Sequence, residues 1–303
     1  AYHFGTIKEL KWKNIGINTR YTFSKLNNYN DHRAVFYTAL TFGLTYYSNQ
    51  IISVGFSRNY LSGGINVGVP WKANDAAMLV FEGLFVENKD KLIYTVNGHD
   101  PFDQTIEGYF SMIFPNEKMK LFLEVAINDH RQNMVDLISQ PDHAMATIIG
   151  LRKYGMFGKK NLYFGFEYLN LAKGKFWGLR ATPNFYQRSI YDNFSYKGRR
   201  WGAHSGSDSD DFFIEFGYIS DNISFIPKFN FERHGVVSSQ PAEVKIEHGF
   251  EASYNIDKLR FIINYEIEYA RHLGFPEDNV YAGEITGKRS IKTTILRIEY
   301  LLK

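Results

Sequence analysis

Long stretches of alternating apolar and polar residues constrain this chain more than any other feature. Between 243 and 256, Val244, Ile246, His248, Phe250, Ala252, Tyr254 and Ile256 share one face. Glu243, Lys245, Glu247, Glu251, Ser253 and Asn255 share the other. Successive side chains of a β-strand point to opposite faces, so period two predicts a strand with unlike sides. The next stretch repeats the pattern, with Leu259, Phe261, Ile263, Tyr265, Ile267 and Tyr269 opposing Arg260, Asn264, Glu266 and Glu268. Looser versions set Leu40, Phe42, Leu44 and Tyr46 against Tyr37, Thr41 and Thr45, and Leu121, Leu123, Val125 and Ile127 against Lys120, Glu124 and Asn128. Leu162, Phe164, Phe166 and Tyr168 oppose Gly165 and Glu167, and Leu296, Ile298, Tyr300 and Leu302 oppose Arg297 and Glu299.

Two architectures give such alternation. A sandwich buries the apolar face against a second sheet, whereas a membrane barrel turns it to lipid around a wet lumen. Length favours the barrel: the stretches at 33–46, 243–256, 258–270 and 289–302 exceed the usual strand of about 5–6 residues and fit the 9–11 or so that a tilted membrane strand needs. Connection lengths favour it again. Short turns are expected at 47–50, 115–118, 154–160, 220–222 and 256–257, alternating with longer connections at 25–32, 59–104, 129–142, 171–210, 233–242 and 271–288. Outer-membrane barrels sort their loops this way, and a sandwich has no reason to. The expectation is an all-β transmembrane antiparallel barrel of about twelve or more strands, an even number, in one domain over 1–303, with both ends on the short-turn side.

Some stretches depart from period two. Ala76, Leu79, Val80, Leu84 and Phe85 lie near helical spacing, predicting a short helix over 73–87 that plugs the lumen or lies at its rim. Residues 174–195 have room for two more strands, and Pro227 predicts a bulge or strand end. No apolar run of about 18 residues exists, which excludes a transmembrane helix and says nothing against a barrel. With no cysteine, disulfides, zinc ribbons, iron–sulfur sites and thiol nucleophiles are excluded. A net charge of +3, evenly spread, argues against a nucleic-acid partner.

The most unusual connection runs from Tyr191 to Asp211 and combines Gly198, Gly202 and Gly206 with Arg199, Arg200, His204, Asp208 and Asp210. Arginine forks suit carboxylates and aromatic rings stack on apolar sugar faces, so the mixture suits an acidic sugar chain. The same residues also suit a loop folded into the lumen and braced by Arg–Asp pairs, and the two readings are compatible. Asp208, Asp210 and Asp211 offer oxygen ligands for Ca²⁺ but lack the Glu that closes an EF-hand loop, so a solvated acidic turn is the simpler reading. Glu243, Glu247, Glu266 and Glu268 contain the paired carboxylates of glycoside cleavage, yet they sit where lumenal charge is ordinary. Arg58, Lys72, Arg131 and Arg152 read as scattered basic residues of lumen or loop.

The run Tyr196-Lys197-Gly198-Arg199-Arg200-Trp201-Gly202, then His204, Gly206, Asp208 and Asp210, then the alternating Phe212, Ile214, Phe216 and Tyr218, resembles the signature loop of the Wzi-type capsule assembly proteins. Weaker similarities lie upstream at Phe166-Glu167-Tyr168, Ile127-Asn128-Asp129 and Gly55-Phe56-Ser57-Arg58. One departure is Ala203, which displaces His204 from the family's Gly-His pair. A second is extent: the resemblance covers the family's later, C-terminal portion, leaving open a shorter barrel, a fragment, or a partner chain that supplies the missing N-terminal strands. The resemblance implies a non-enzymatic, lectin-like protein in the outer membrane of a Gram-negative bacterium, assisting assembly or attachment of capsular or extracellular polysaccharide. Its partners would be polysaccharide and outer-membrane lipid, with no cofactor and no metal. The expected binding residues are Tyr196, Lys197, Arg199, Arg200, Trp201, His204, Asp208 and Asp210, with the two aspartates orienting the arginines. A porin or substrate-specific channel is the alternative on the same strands, and a soluble β-sandwich lectin or hydrolase is a third.

Overall fold

The computed structural model describes residues 2–27, 34–63, 103–128, 134–174, 182–186, 195–196, 199–200, 202–238, 241–274 and 287–300. The strands are β1 (Tyr2–Trp12), β2 (Ile15–Asn27), β3 (Ala34–Tyr47), β4 (Ile51–Gly63), β5 (Asp103–Phe114), β6 (Met119–Asn128), β7 (Met145–Tyr154), β8 (Leu162–Asn170), β9 (Ser195–Tyr196), β10 (Arg199–Arg200), β11 (Ser209–Ile219), β12 (Ile223–His234), β13 (Glu243–Ile256), β14 (Leu259–Arg271) and β15 (Arg289–Tyr300). All except β9 and β10 form one antiparallel sheet of 13 strands in chain order, with β1 and β15 as its edges. The expected sorting of connections holds throughout: two to seven residues at one end of the sheet, six to thirty-nine at the other.

Four expectations differ from the structure, and a fifth lies outside the described residues. The sheet has 13 strands, an odd number, because a hairpin at Lys13–Asn14 splits the first stretch into β1 and β2. That turn has little sequence signature, since its left-handed residue is Lys13 (φ 51°) rather than a glycine. As a result β1 begins on the long-connection side and β15 ends on the short-turn side, so the two ends do not share a side. Pro227 makes neither bulge nor strand end: β12 continues through it, paired with Phe250. Its missing N–H instead interrupts the ladder to β11, where pairing lapses after Glu215–Lys228 and resumes in the same register at Tyr218–Phe225. The described part of 174–195 holds no strand before Ser195, and the expected helix at 73–87 lies outside the described residues. Among the described residues a short helix, α1 (Met134–Ser139), lies in the β6–β7 connection.

Register assigns the faces. Phe212–Phe231, Phe229–His248, Phe250–Tyr265 and Ile263–Leu296 are direct partners across successive strands, so one apolar row crosses β11 to β15. Phe166 meets Phe212 edge-on with ring centroids 5.4 Å apart, and Phe225 and Phe250 are also 5.4 Å apart. This row is exposed: Leu296 is 74% and Ile298 68% accessible, whereas Glu232 on the opposite face is 1% accessible. The burial of a water-soluble protein is thereby inverted, with charge inside and oil outside. Exposed outward rings gather next to the short turns: Trp12, Tyr46, Tyr218, Tyr254 and Tyr300. The inward face is shaped by size as well as polarity. Gly43 and Gly55 are paired on β3 and β4, and a Cβ on either would run into the Tyr109 side chain from β5.

Candidate functional site

The motif-bearing connection, 171–208, leaves β8 and returns to β11 through its own clamp. Leu171 N donates to Ser209 O at 2.7 Å, and Asp208 N donates to Leu171 O at 3.0 Å. Asp208 adopts a left-handed φ of 53°, which Asp tolerates better than most residues. That conformation aims its carboxylate at the main chain of two other segments. It accepts from Lys173 N at 3.2 Å, Val237 N at 3.2 Å and Ser238 N at 2.8 Å, and from the Ser238 hydroxyl. Burial alone would raise this carboxyl, but the donors of Ser238, Lys173 and Val237 outweigh it and hold it below its ordinary value. Asp208 is thus a clamp joining three stretches of backbone. Asp210 faces Arg233 as a two-point pair, Nε to Oδ1 at 2.8 Å and Nη2 to Oδ2.

Two pieces of the connection lie against the lumenal face. Phe185 packs into a small cluster with Ala146, Leu169 and Leu171, and its carbonyl accepts from the Asn128 amide. Tyr186 N donates to Ser207 Oγ at 2.7 Å, and Ala203 N donates to Tyr186 Oη at 3.0 Å, tying 182–186 to 202–207. Gly202 sits at φ 155° beneath the Tyr186 ring, where a Cβ would collide with the phenol. Ser209 Oγ reaches Gly206 O at 2.7 Å, closing the turn from which His204 projects. These bonds fasten 202–207 as a strap across the wall.

His204 is the strap's charged contact with that wall. Its Nε2 lies 2.9 Å from Asp211 Oδ2 and 3.8 Å from Glu232 Oε2. The hydrogen bond to Asp211, reinforced by the Glu232 charge, raises the imidazole above its ordinary value against the opposing effect of burial. Behind it Glu232 meets His234 at 2.6 Å, and a chain of ion pairs continues: Lys245 to Glu247 at 2.6 Å and to Glu232 and Glu268 at 3.5 Å, then Glu268 to Arg289 at 2.6 Å. Lys228 pairs with Glu251 at 3.1 Å, and Arg152 with Glu167 at 3.5 Å and Glu215 at 3.7 Å.

The strap borders two cavities. The larger, about 390 Å³, is lined by Tyr37, Asn59, Glu107, Glu124, Phe185 and Tyr186 among others, with Gly202 and Ala203 at its strap side. The smaller, about 280 Å³, is lined by His204, Asp211, Lys228, Asn230, Glu247 and Glu266 among others.

The structure therefore brings His204 and Asp208 to one corner of the lumen, whereas Asp210 lies on the outward row of β11 with Phe212 and pairs there with Arg233. Tyr196 pairs through its backbone with Arg199 in the β9–β10 ribbon. The side chains of Tyr196, Arg199 and Arg200, and all of Lys197 and Trp201, lie outside the described residues, as do Lys72 and Arg131. Arg58 binds Gln104, and Arg152 belongs to the lumen. Asp208, Asp210 and Asp211 turn to separate partners, and among the described residues no group of three or more side chains is placed to hold a metal. Glu247 and Glu268 are engaged by Lys245 and Arg289, while Glu243 accepts from Gly274 N at 3.0 Å. Residue reading missed Tyr37, Asn59, Glu107, Phe185 and Tyr186 as cavity residues. The only available signal was the polar row of alternating strands, on which Tyr37 and Glu124 had been placed.

No protein-family model and no curated protein matches the chain in sequence. Among solved structures it is similar to Wzi, described as an outer membrane protein involved in group 1 capsule assembly in Escherichia coli and a carbohydrate-binding β-barrel. The TM-score is 0.61 at 14% identity, over 94% of this chain and 56% of that one. The likeness is one of fold, and the chain spans little more than half of the structure it matches.

Proposed function

We propose that this protein is an outer-membrane barrel that binds carbohydrate at its long-connection end, assisting non-enzymatic assembly or attachment of capsular or extracellular polysaccharide on a Gram-negative cell. The observation that carries the reading is the strap: the motif connection is folded onto the lumenal wall, clamped by Asp208 and seated by His204, beside ring-lined cavities. Membrane residence is supported by the exposed apolar rows and by the outward Trp12, Tyr46, Tyr218, Tyr254 and Tyr300, since aromatic girdles mark the interface in such barrels. The basic and aromatic residues 196–201 would supply the contacts to acidic sugars, Arg199 and Arg200 as forks and Tyr196 and Trp201 as stacking surfaces. Arg199→Ala with Arg200→Ala is expected to lower the polysaccharide retained on cells several-fold while the barrel still inserts. Unchanged retention by an inserted double variant removes binding from this loop. The strap within the lumen speaks against an open pore, and a steady conductance in planar bilayers would favour the channel reading instead.

A further inference from the structure

The lumenal glutamates divide into two kinds. Glu167, Glu215, Glu232, Glu247, Glu251 and Glu268 each have a basic partner. Glu107, Glu124 and Glu266 have neither an ion pair nor a hydrogen bond among the described residues; Glu266 lines the smaller cavity together with Lys228, and Glu107 and Glu124 line the larger one. They share its surface with the rings of Tyr37, Phe185 and Tyr186, and among the described residues no Lys or Arg lines it. Its polar wall is already ordered: Tyr37 Oη donates to Asn59 Oδ1 at 2.7 Å, and Asn59 Nδ2 donates to Thr105 Oγ1 at 3.1 Å. A volume of about 390 Å³ falls within the range of small-ligand sites. Tyr37 and Asn59 on β3 and β4 lie near the long-connection end, and Glu107 and Glu124 lie just below them.

Carboxylates with free lone pairs accept strongly from hydroxyl donors, and aromatic rings take the apolar face of a pyranose. An anionic unit would meet two negative groups and, among the described residues, no counter-charge on the cavity wall. We infer that the cavity bounded by Tyr37, Glu107, Glu124 and Tyr186 is a binding subsite for an uncharged, hydroxyl-rich sugar residue. It is distinct from the basic loop that would take acidic ones. This rests on the reading of the protein as a carbohydrate binder and adds the chemical class that the lumen accepts.

The test is calorimetry on the whole protein in a zwitterionic detergent, because maltoside and glucoside detergents carry sugar headgroups. The probes are neutral gluco-, manno- and galacto-tetrasaccharides and an alginate tetrasaccharide, titrated into the wild type and into Glu107→Gln/Glu124→Gln. At least one neutral probe is expected to bind the wild type, with affinity falling about tenfold in the double variant as charge-assisted bonds become neutral ones. The alginate probe is expected to bind the variant as well as or better than the wild type. Neutral binding that is equal or tighter in the variant overturns the subsite. Alginate binding without neutral binding overturns the subsite and leaves the carbohydrate reading standing, and binding of neither probe removes both.

Discussion

The two sides of the lumen are built by different rules. From β11 to β15 the wall is knitted by charge: Lys245 alone reaches Glu232, Glu247 and Glu268, and Arg289 continues the chain. From β2 to β5 the wall is stitched by neutral groups: Thr41 with Ser57 at 3.2 Å, Thr45 with Ser53 at 3.0 Å, and Asn59 with Tyr37 and Thr105. Where carboxylates are held by cations, they brace the barrel and are unavailable to a ligand. Where hydroxyls and amides brace the wall, Glu107 and Glu124 are left unengaged at a cavity. Lumenal charge is therefore mostly structural on one side, Glu266 apart, and on the other it is what the proposed sugar subsite would use.

The sharpest test of that contrast is Lys245→Met. It leaves three carboxylates without their shared cation and is expected to cost about 3 kcal/mol in urea unfolding from lipid vesicles. Glu107→Gln should change stability by no more than about 0.5 kcal/mol. Equal losses would erase the distinction. A second comparison sets outside against inside. Leu123, in the middle of the β6 outward row, is expected to lose about 2 kcal/mol or more as Leu123→Arg in the same assay, the cost of a charge facing lipid. A neutral outcome would mean that the row faces water. The smallest effect concerns the strap and pH. Asp208, whose carboxyl is depressed, contributes above its ordinary value of 3.8 and loses that contribution as pH falls through its lower folded value. His204, whose imidazole is raised, contributes fully below its ordinary value of 6.5 and loses that contribution as pH rises through its higher folded value. Amide exchange in 202–207 should therefore be slowest between about pH 4 and 6.5 and should quicken above, after correction for the intrinsic rate. His204→Ala should abolish the upper change, and its persistence would detach the strap from this imidazole.

Much of the fold was legible because it depends on local arithmetic. Period two assigned Leu162, Phe164, Phe166 and Tyr168 to the outward face and Glu167 to the lumen, as the register places them. Several turns were legible from Pro, Asn, Asp or Gly, but the Lys13–Asn14 turn was not, because its left-handed residue is a Lys and a lone Asn between two polar-flanked strands does not fix a hairpin. Within the motif loop the sequence indicated chemistry without geometry. Asp208, read as a guide for arginines, accepts from main-chain donors 29 and 30 residues onward and 35 residues back, and from the Ser238 hydroxyl. Nothing in a single run of residues predicts a partner at that distance.

From residue order alone came an antiparallel all-β chain with one oily and one charged face and connections of two lengths, because each of these follows from neighbours two residues apart. Strand number, the position of the chain ends, the strap and the split between engaged and unengaged glutamates came only with tertiary structure. Each depends on which strand lies beside which, and on how far a side chain reaches across a curved wall. A carboxylate's role is set by the cation within about 4 Å of it, and that cation is usually borne on another strand.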